Sequence, residues 1–452
     1  MASFDRPRGT RDFDPEEMAD RNALITRLRE AFETFGYREI GTPTFEHLDL
    51  FTAKSGPEIV EQLYAFEDKS ERELTLRPEL TAPVMRFYNE ELRARPKPLR
   101  LFYFGNCFRY ERPQSGRYRE FWQFGAELVG APGPAGDAEI IALAEECVQA
   151  AGAATELHVG HIGILDRLIE AVDTDEDTHS ELYRLVDKGG EELTERLDEV
   201  DAEPVLAEAI EDLAVGANPT IALAGDEDEL RERFGELLAE VRGFSDEAPH
   251  LDKRLREAFD EATAEAIEAA LDELATTLGH LAGHGVDEVH VDLGVARGLD
   301  YYTGVVFEVE APELGAQSQV AGGGRYQLAE TLGGQPTDTT GFGLGFDRLL
   351  LAADVETEEA PARAHVVPIA GTLDEATSVA ADLRAAGIPT TVDLRDRSIG
   401  KNLDYVDRLG VPKAILLGPD ELEQGVATVK DMASGEQTEV ALDELVGELS
   451  SD

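Results

Sequence analysis

The 452-residue chain is expected to fold as an α+β protein in three parts: a domain organised on antiparallel strands with helices, a helical insertion, and a small C-terminal α/β domain. Residues 99–110 and 118–129 alternate in hydrophobicity on either side of Pro113-Gln114-Ser115-Gly116, the pattern of an antiparallel hairpin. Residues 165–285 are acidic, poor in aromatics and full of helix-forming runs such as Glu236-Leu237-Leu238-Ala239-Glu240-Val241. Beyond the acidic stretch 353–361, apolar runs at 365–369, 390–393 and 414–417 alternate with helical patterns at 372–386 and 399–409, which reads as a parallel or mixed sheet. The length fits about three domains. The boundaries expected are 1–164 and 286–353 for the two parts of the first domain, 165–285 for the insertion, 354–363 for a linker and 364–452 for the last domain.

Asp14-Pro15-Glu16-Glu17 opens a helix, with Asp at the N-cap, Pro at its first position and acids in its first turn. Leu24, Leu28, Ala31, Phe32 and Phe35 follow at helical spacing, and Gly36 ends it. Residues 37–43 read as a strand stopped by Pro43. A helix of this kind feeding a strand is either core or a dimer seam, and composition does not separate the two. Further strands are expected at 72–76, 156–161, 290–293 and 305–309, a helix at 137–151, and a strand entering a helix over 340–352.

Composition excludes several classes. No 18-residue apolar run exists, so a membrane span is not expected. The N-terminal residues lack the apolar core of a secretory signal. Cys107 and Cys147 make neither a disulfide framework nor a zinc cluster, which fits a reducing cytoplasm. The chain carries 94 acids against 41 basic residues, only eight of them lysine, for a formal net charge of −53. A hydrated carboxylate surface stays soluble where concentrated salt screens its repulsion, as in a halophile's cytoplasm.

Against that background, residues 93–119 hold Arg93, Arg95, Lys97, Arg100, Arg109, Arg112, Arg117 and Arg119 with one acid, Glu111, a net +7. An exposed loop offsetting local acid would explain the charge alone. It would not explain Phe102, Tyr103, Phe104, Phe108, Tyr110, Tyr118, Phe121 and Trp122 among the arginines. Guanidinium forks hold phosphate, and aromatic faces beside them stack a base. Read as strands, the block places Arg109 and Glu111 on one face, and Phe121, Gln123, Gly125 and Glu127 on one face of the returning strand.

The block Phe108–Glu127 resembles motif 2 of the class II aminoacyl-tRNA synthetases, in the version found in the histidyl-tRNA synthetase family. Thr75-Leu76-Arg77-Pro78-Glu79-Leu80-Thr81 resembles that family's amino-acid loop, with Leu80 where many members have Gly. Arg297-Gly298-Leu299-Asp300-Tyr301-Tyr302 and Ala321-Gly322-Gly323-Gly324-Arg325-Tyr326 resemble the two blocks peculiar to the histidine enzymes; the second continues Gln327-Leu328-Ala329 in place of Asp-Gly-Leu. Residues 341–348 resemble motif 3, and Glu39–Pro43 the end of motif 1, which in the family forms the dimer interface. The last domain resembles the family's anticodon-binding domain.

The resemblance implies a class II antiparallel catalytic sheet, a homodimer in the cytoplasm, and three substrates: L-histidine, ATP with its Mg²⁺, and tRNA(His). It implies Arg297 and Arg109 on the α-phosphate as catalytic residues. Glu111, Arg117, Phe121 and Arg348 join Arg109 around ATP. Glu79, Thr81, Gln123, Glu127, Tyr301, Tyr302 and Tyr326 hold histidine. Neutral imidazole has one donor and one acceptor, so Glu127 suits its N–H and a tyrosine hydroxyl its other nitrogen. Such a site discriminates without editing, so the insertion is expected to clamp the tRNA acceptor end rather than edit. Arg395, Arg397 and Lys401, with Arg408, are the candidates for anticodon contacts, in a domain with 7 basic residues and 17 acids over 364–452. Together with the acidity, the resemblance points to a halophilic archaeal source.

Gly341, Gly343 and Gly345 lack the spacing of a dinucleotide fingerprint and read instead as a backbone that lets a flat base approach. His280 with His284, and His158 with His161, lack converging Cys or acids, so no protein-bound zinc is expected. The rival enzyme-free reading is the synthetase-like regulatory subunit of ATP phosphoribosyltransferase, which typically loses the ATP arginines and the C-terminal domain. A nucleic-acid-binding module would leave Glu127 and the paired tyrosines without a purpose.

Overall fold

In the computed structural model, which describes residues 4–53, 62–113, 116–131, 133–186, 189–214, 219–245, 250–294, 302–355, 357 and 362–450, the first helix runs Pro15–Thr34. Its start is a reciprocal cap: Glu17 N–H donates to the Asp14 carboxylate at 2.8 Å, and Asp14 N–H donates to the Glu17 carboxylate at 3.2 Å. Two donors left over by helix geometry are thereby satisfied. Leu24, Leu28, Ala31 and Phe32 form its buried face.

That face lies on a large sheet within the first of two compact units, Met1–Val355. The strands of this unit are β1 (Arg38–Glu39), β2 (Phe45–His47), β3 (Tyr64–Glu67), β4 (Glu73–Leu76), β5 (Leu99–Phe108), β6 (Glu120–Val129), β7 (Glu156–His161), β8 (Thr220–Ala222), β9 (Glu288–Val291), β10 (Tyr302–Glu310), β11 (Gln319–Tyr326) and β12 (Thr339–Gly345). Nine of them form one sheet in the order β1-β5-β6-β12-β11-β10-β7-β9-β8, while β2-β4-β3 make a small second sheet. The run β5-β6-β12-β11-β10-β7 is antiparallel throughout. The expected strand over 37–43 shortens to β1, which pairs with β5 in parallel. Gly41 has no side chain to pack and Pro43 no N–H to donate, so pairing ends early.

The sheet is two-faced because its strands alternate. Phe124, Ala126 and Leu128 of β6 join Phe32, Phe102 and the helix Pro134–Ala150 in one core. There the Phe32 ring stacks on Phe102 at 4.8 Å and on Phe124 at 5.7 Å. The opposite face carries the polar floor described below.

Residues 165–285 hold the helices Glu176–Val186, Glu191–Glu199, Pro204–Ala214, Glu227–Leu238, Lys253–Glu257 and Glu261–Gly283. The segment is not purely helical, however. Strand β8 adds Thr220-Ile221-Ala222 antiparallel to β9 and becomes the edge of the main sheet. Nor does it have a separate core, since Leu271, Leu274 and Leu278 of the helix Glu261–Gly283 share one cluster with Ile141 and Leu143 of the helix Pro134–Ala150.

The second unit, Glu356–Asp452, contains β13 (Ala364–Pro368), β14 (Thr390–Val392), β15 (Lys413–Leu417), β16 (Val426–Asp431) and β17 (Gln437–Ala441) in the order β14-β13-β15-β16-β17. The first three strands are parallel, and β16 and β17 close the sheet as an antiparallel hairpin. Ala364, Val366, Ile415 and Leu417 pack with Ala380 and Leu383 of the helix Leu373–Ala385.

Candidate active site

Glu127 is the centre of the polar floor. It is fully buried in β6, and its two carboxylate oxygens accept from Tyr103 Oη at 3.1 Å and Tyr326 Oη at 2.5 Å. Burial pushes its carboxyl up to about 8 against the pull of the Tyr326, Thr81 and Tyr103 hydroxyls. The Tyr103 hydroxyl is itself held well above the ordinary phenol range, by burial first and by the Glu127 charge second. Tyr103 is a site residue that the motif reading passed over. Its signal lies across the hairpin, where it faces Gly125 and a Cβ at that position would overlap its ring. Gly341 is needed for a different reason from the one expected. A Cβ there would overlap the Glu127 carboxylate, so this glycine makes room for the acid rather than for a base. Gly343 and Gly345 do leave open floor, with nothing nearer to an added Cβ than 3.9 Å and 3.6 Å.

Gln123 sits two residues before Gly125 on the same face. The Cys107 thiol donates to its Oε1 at 3.2 Å, and burial pushes that thiol up to about 12, so it remains a donor. Half-buried Glu79 caps the helix Thr81–Phe87 by accepting from the backbone N–H groups of Thr81 and Ala82, the latter at 3.1 Å. Burial raises its carboxyl, and those two N–H groups and Arg109 oppose the rise. The Thr81 hydroxyl lies 3.4 Å from Tyr103 Oη. Tyr302 starts β10 directly opposite Tyr326 and packs beside Ile162 and Val306. Arg297 and Tyr301, with the rest of residues 295–301, lie outside the described residues.

The arginines gather at the other end of the floor. Strand β5 ends at Phe108; Arg109 still donates its N–H to Arg119 O at 3.0 Å, but Glu111 lies in the connecting loop, so strand parity does not put the two on one face, contrary to expectation. Proline at 113 and the loop's own turn, in which Glu111 N–H donates to Arg109 O at 2.9 Å, end the ladder. Arg109 donates from Nε to Pro78 O at 3.0 Å and lies over the Phe121 ring at 5.2 Å. Arg117 pairs with Glu111. Arg348, on the helix Phe346–Ala352, donates to Gly116 O at 3.3 Å, Gln319 O at 2.9 Å and Gln317 Oε1 at 3.0 Å. Burial pushes Arg348 downward, and the like charges of Arg117 and Arg109 add to the push. Three guanidinium groups that repel one another in a half-buried site favour an anion between them.

The family model of histidyl-tRNA synthetases matches residues 9–349, and that of the anticodon binding domain matches residues 363–452. The histidine–tRNA ligase of Archaeoglobus fulgidus is 44% identical over 442 residues, 98% of each chain. The chain belongs to the histidyl-tRNA synthetase family. The histidine–tRNA ligase of Methanosarcina acetivorans is similar at 42% identity over 454 residues, 99% of each chain. The crystal structure of histidyl-tRNA synthetase from Nostoc sp. PCC 7120 shares the fold, with a TM-score of 0.77, 24% identity and 100% of both chains covered. The architecture is therefore the class II synthetase fold of this family: a catalytic antiparallel sheet with helices, a helical insertion and a C-terminal anticodon-binding domain.

Within this synthetase fold, Asp347 fixes the start of the helix that carries Arg348. Its carboxylate accepts from buried Arg21 at 2.7 Å and from Trp122 N–H at 2.7 Å, tying that helix to β6. In the second unit, Arg395 and Lys401 are exposed, whereas Arg397 pairs with Asp393 at 2.5 Å and lies over the Tyr405 ring at 4.2 Å. Leu394 beside them is 79% exposed. Glu156, His158 and His290 bring possible metal donors within 4.8 Å of one another, a grouping that sequence spacing did not show. The two imidazoles, however, are stacked at 4.8 Å with an 18° interplanar angle. Lone pairs lie in the ring planes, and nearly parallel planes do not aim at one ion, so the trio is not a built metal cage. His161 turns to the opposite face, where it meets Glu273 at 3.1 Å. No helix among the described residues is long and apolar enough to cross a membrane.

Proposed function

We propose that this chain activates L-histidine with MgATP and transfers it to the 3′ end of tRNA(His). The observation that carries the reading is Glu127: a buried carboxylate, gripped by two tyrosine hydroxyls, on the floor whose far end gathers Arg109, Arg117 and Arg348. The first site suits an imidazole N–H, the second a polyphosphate. In the first step a histidine carboxylate oxygen bonds to the α-phosphorus and the α–β phosphoanhydride breaks, giving histidyl-adenylate and pyrophosphate. That carboxylate is already ionised, so positioning and charge stabilisation suffice. Arg109 and Arg297 meet the α-phosphate, with Arg297 the principal catalytic residue. Phe121 and Arg348 flank the adenine, Glu111 accepts from its amino group, and Arg117 moves from Glu111 to the γ-phosphate. Glu79, Thr81 and Gln123 hold the ammonium and carboxylate of histidine. Glu127, Tyr302 and Tyr326 hold its ring, with Tyr301 beside them. Mg²⁺ would come with ATP and offset its phosphate charge, needing few protein ligands. In the second step a terminal ribose hydroxyl attacks the acyl carbon and AMP leaves.

Residues 1–164 and 286–353 form the catalytic part of this reading, 165–285 clamp the acceptor end, and 354–363 link to the anticodon binder 364–452. Exposed Arg395, Lys401 and Leu394 make the anticodon patch, with Arg397 and Tyr405 behind it. The working form is a cytoplasmic homodimer; Phe45 and Phe66, 54% and 43% exposed on the small sheet near the motif 1 segment, are the apolar surface it would cover. The charge of −53 fits a source with molar internal salt. ATP–pyrophosphate exchange with each of the twenty amino acids tests the reading. Exchange driven by histidine alone is expected; silence, the behaviour of a regulatory subunit, or exchange with another amino acid sinks it.

A further inference from the structure

We propose that Arg325 is a positioning residue for histidine recognition, and that Glu273 of the helical insertion acts on the histidine pocket through it. The proposal rests on the activation reading above.

Successive residues of β11 face opposite sides of the sheet. Tyr326 faces the pocket, where its hydroxyl holds Glu127. Arg325, its neighbour, faces the helices. There its guanidinium is gripped from two sides. Nε and Nη2 meet the Asp137 carboxylate on the helix Pro134–Ala150, and Nη1 meets Glu273 Oε1 at 2.5 Å on the helix Glu261–Gly283. Glu273 is held in turn by His161, whose Nε2 lies 3.1 Å from its second oxygen. His161 Nδ1 accepts Gly163 N–H at 3.2 Å, so the ring proton sits on Nε2 and is donated to Glu273. The side chains of Asp137, Arg325 and Glu273 are only 2%, 14% and 26% exposed. The His161 bond, and then Arg325, draw Glu273 down to about 2, so it is ionised at any working pH.

A buried guanidinium shared between two carboxylates has one orientation that serves both, and it belongs to the residue next to Tyr326. Fixing it fixes the strand that aims the Tyr326 hydroxyl. One of the two carboxylates comes from the insertion, so the insertion takes part in building the histidine pocket from behind. A network that only stabilised the core would have no preference between substrates.

The test is Glu273→Gln in the full chain, read by ATP–pyrophosphate exchange. The expected result is a KM for histidine raised about tenfold, with kcat and the KM for ATP within about twofold. Tyr326→Phe should move the histidine KM in the same direction, and the double variant should cost less than the product of the two, because they act through one contact. Asp272→Asn is the control: it removes a charge from the same helix, where Asp272 pairs with Arg231 at 2.7 Å, and should leave both KM values alone. If Glu273→Gln does not fold, His161→Asn, which loses the hydrogen bond to Glu273 while its amide oxygen can still accept Gly163 N–H, is read in the same way for a smaller effect. An unchanged histidine KM in a folded variant, equal rises in both KM values, or fully multiplicative effects with Tyr326→Phe would overturn the proposal. A wild-type protein silent with histidine would overturn the activation reading, and this proposal with it.

Discussion

Glu127 is a buried acid whose ionisation the fold resists, and replacing it with glutamine makes that resistance measurable. Its carboxyl titrates near 4.5 ordinarily and at about 8 in the fold, because burial outweighs the three hydroxyls that support the charge. Below the lower value both folded and unfolded chains hold the proton, and the fold loses nothing. Between the two values the unfolded chain releases a proton that the fold keeps, so stability falls as pH rises, by ~1.4 kcal/mol per pH unit. Above about 8 the loss is constant at roughly 5 kcal/mol. Glutamine is a neutral isostere at every pH. The difference in unfolding free energy between Glu127→Gln and wild type should therefore swing toward the variant by about 2–3 kcal/mol between roughly pH 6 and pH 9. Trp122 is the chain's single tryptophan and lies in β6 with Glu127, so its fluorescence during urea unfolding reports on the right unit. Activity should move the other way: the histidine KM should rise more than the ATP KM, since in the proposed function the carboxyl that is replaced faces the imidazole and not the nucleotide. Parallel pH–stability curves for the two proteins would refute the reasoning.

Arg297→Ala should nearly abolish pyrophosphate exchange, by at least about 10²–10³, while histidine binding stays within about tenfold, because the charge it stabilises is greatest in the transition state; exchange near wild type would end the assignment. Deleting residues 364–452 should leave exchange measurable and cripple tRNA charging, since the chain divides into two compact units just before that point; full charging by the truncated protein would contradict it. Aminoacylation should rise with potassium chloride from about 0.1 M toward molar concentrations, because a Debye length of about 3 Å removes the repulsion between a −53 protein and RNA while close Arg–phosphate contacts persist. A charging rate that falls steadily over that range, with circular dichroism unchanged, would refute the salt argument.

Much of the fold was legible because its information is local. The Asp14–Glu17 cap needs residues three apart, and the hairpin needs alternation over ten residues on each side, which is how β5 and β6 were found. Where the local signal was short it failed. Thr220-Ile221-Ala222 is three residues in an otherwise helical stretch, and it becomes a strand only because the edge of β9 offers it partners. The hairpin β16–β17 has little sequence signal, because Gln437-Thr438-Glu439 is exposed and polar and shows little alternation. The aromatics that continue past Phe108 suggest a strand through Glu111, whereas the pairing stops with the bond from Arg109 N–H to Arg119 O.

The site divides along the same line. Parity along one strand brought Phe121, Gln123 and Glu127 to a common face, and the structure keeps them there. What parity does not say is which charge meets which. Arg21 finds Asp347 from 326 residues away, and Arg325 finds Asp137 from 188. The chain has far more acids than these arginines need, so a carboxylate partner is always on offer, and composition cannot single one out. Burial selects. An ion taken out of water must find its counter-charge at hydrogen-bonding distance or lose its charge. Asp137 and Asp347 therefore have their partners settled by the fold. Arg109, Arg117 and Arg348 are the informative exceptions. In a chain so rich in acid, three half-buried arginines gather where, among the described residues, Arg117 alone forms an ion pair, with Glu111, and burial and the charges of Arg117 and Arg109 push Arg348 downward. In a protein of this charge, arginines without an ion pair among the described residues are what the proposed ATP site requires, because an anion from outside would supply the missing counter-charge.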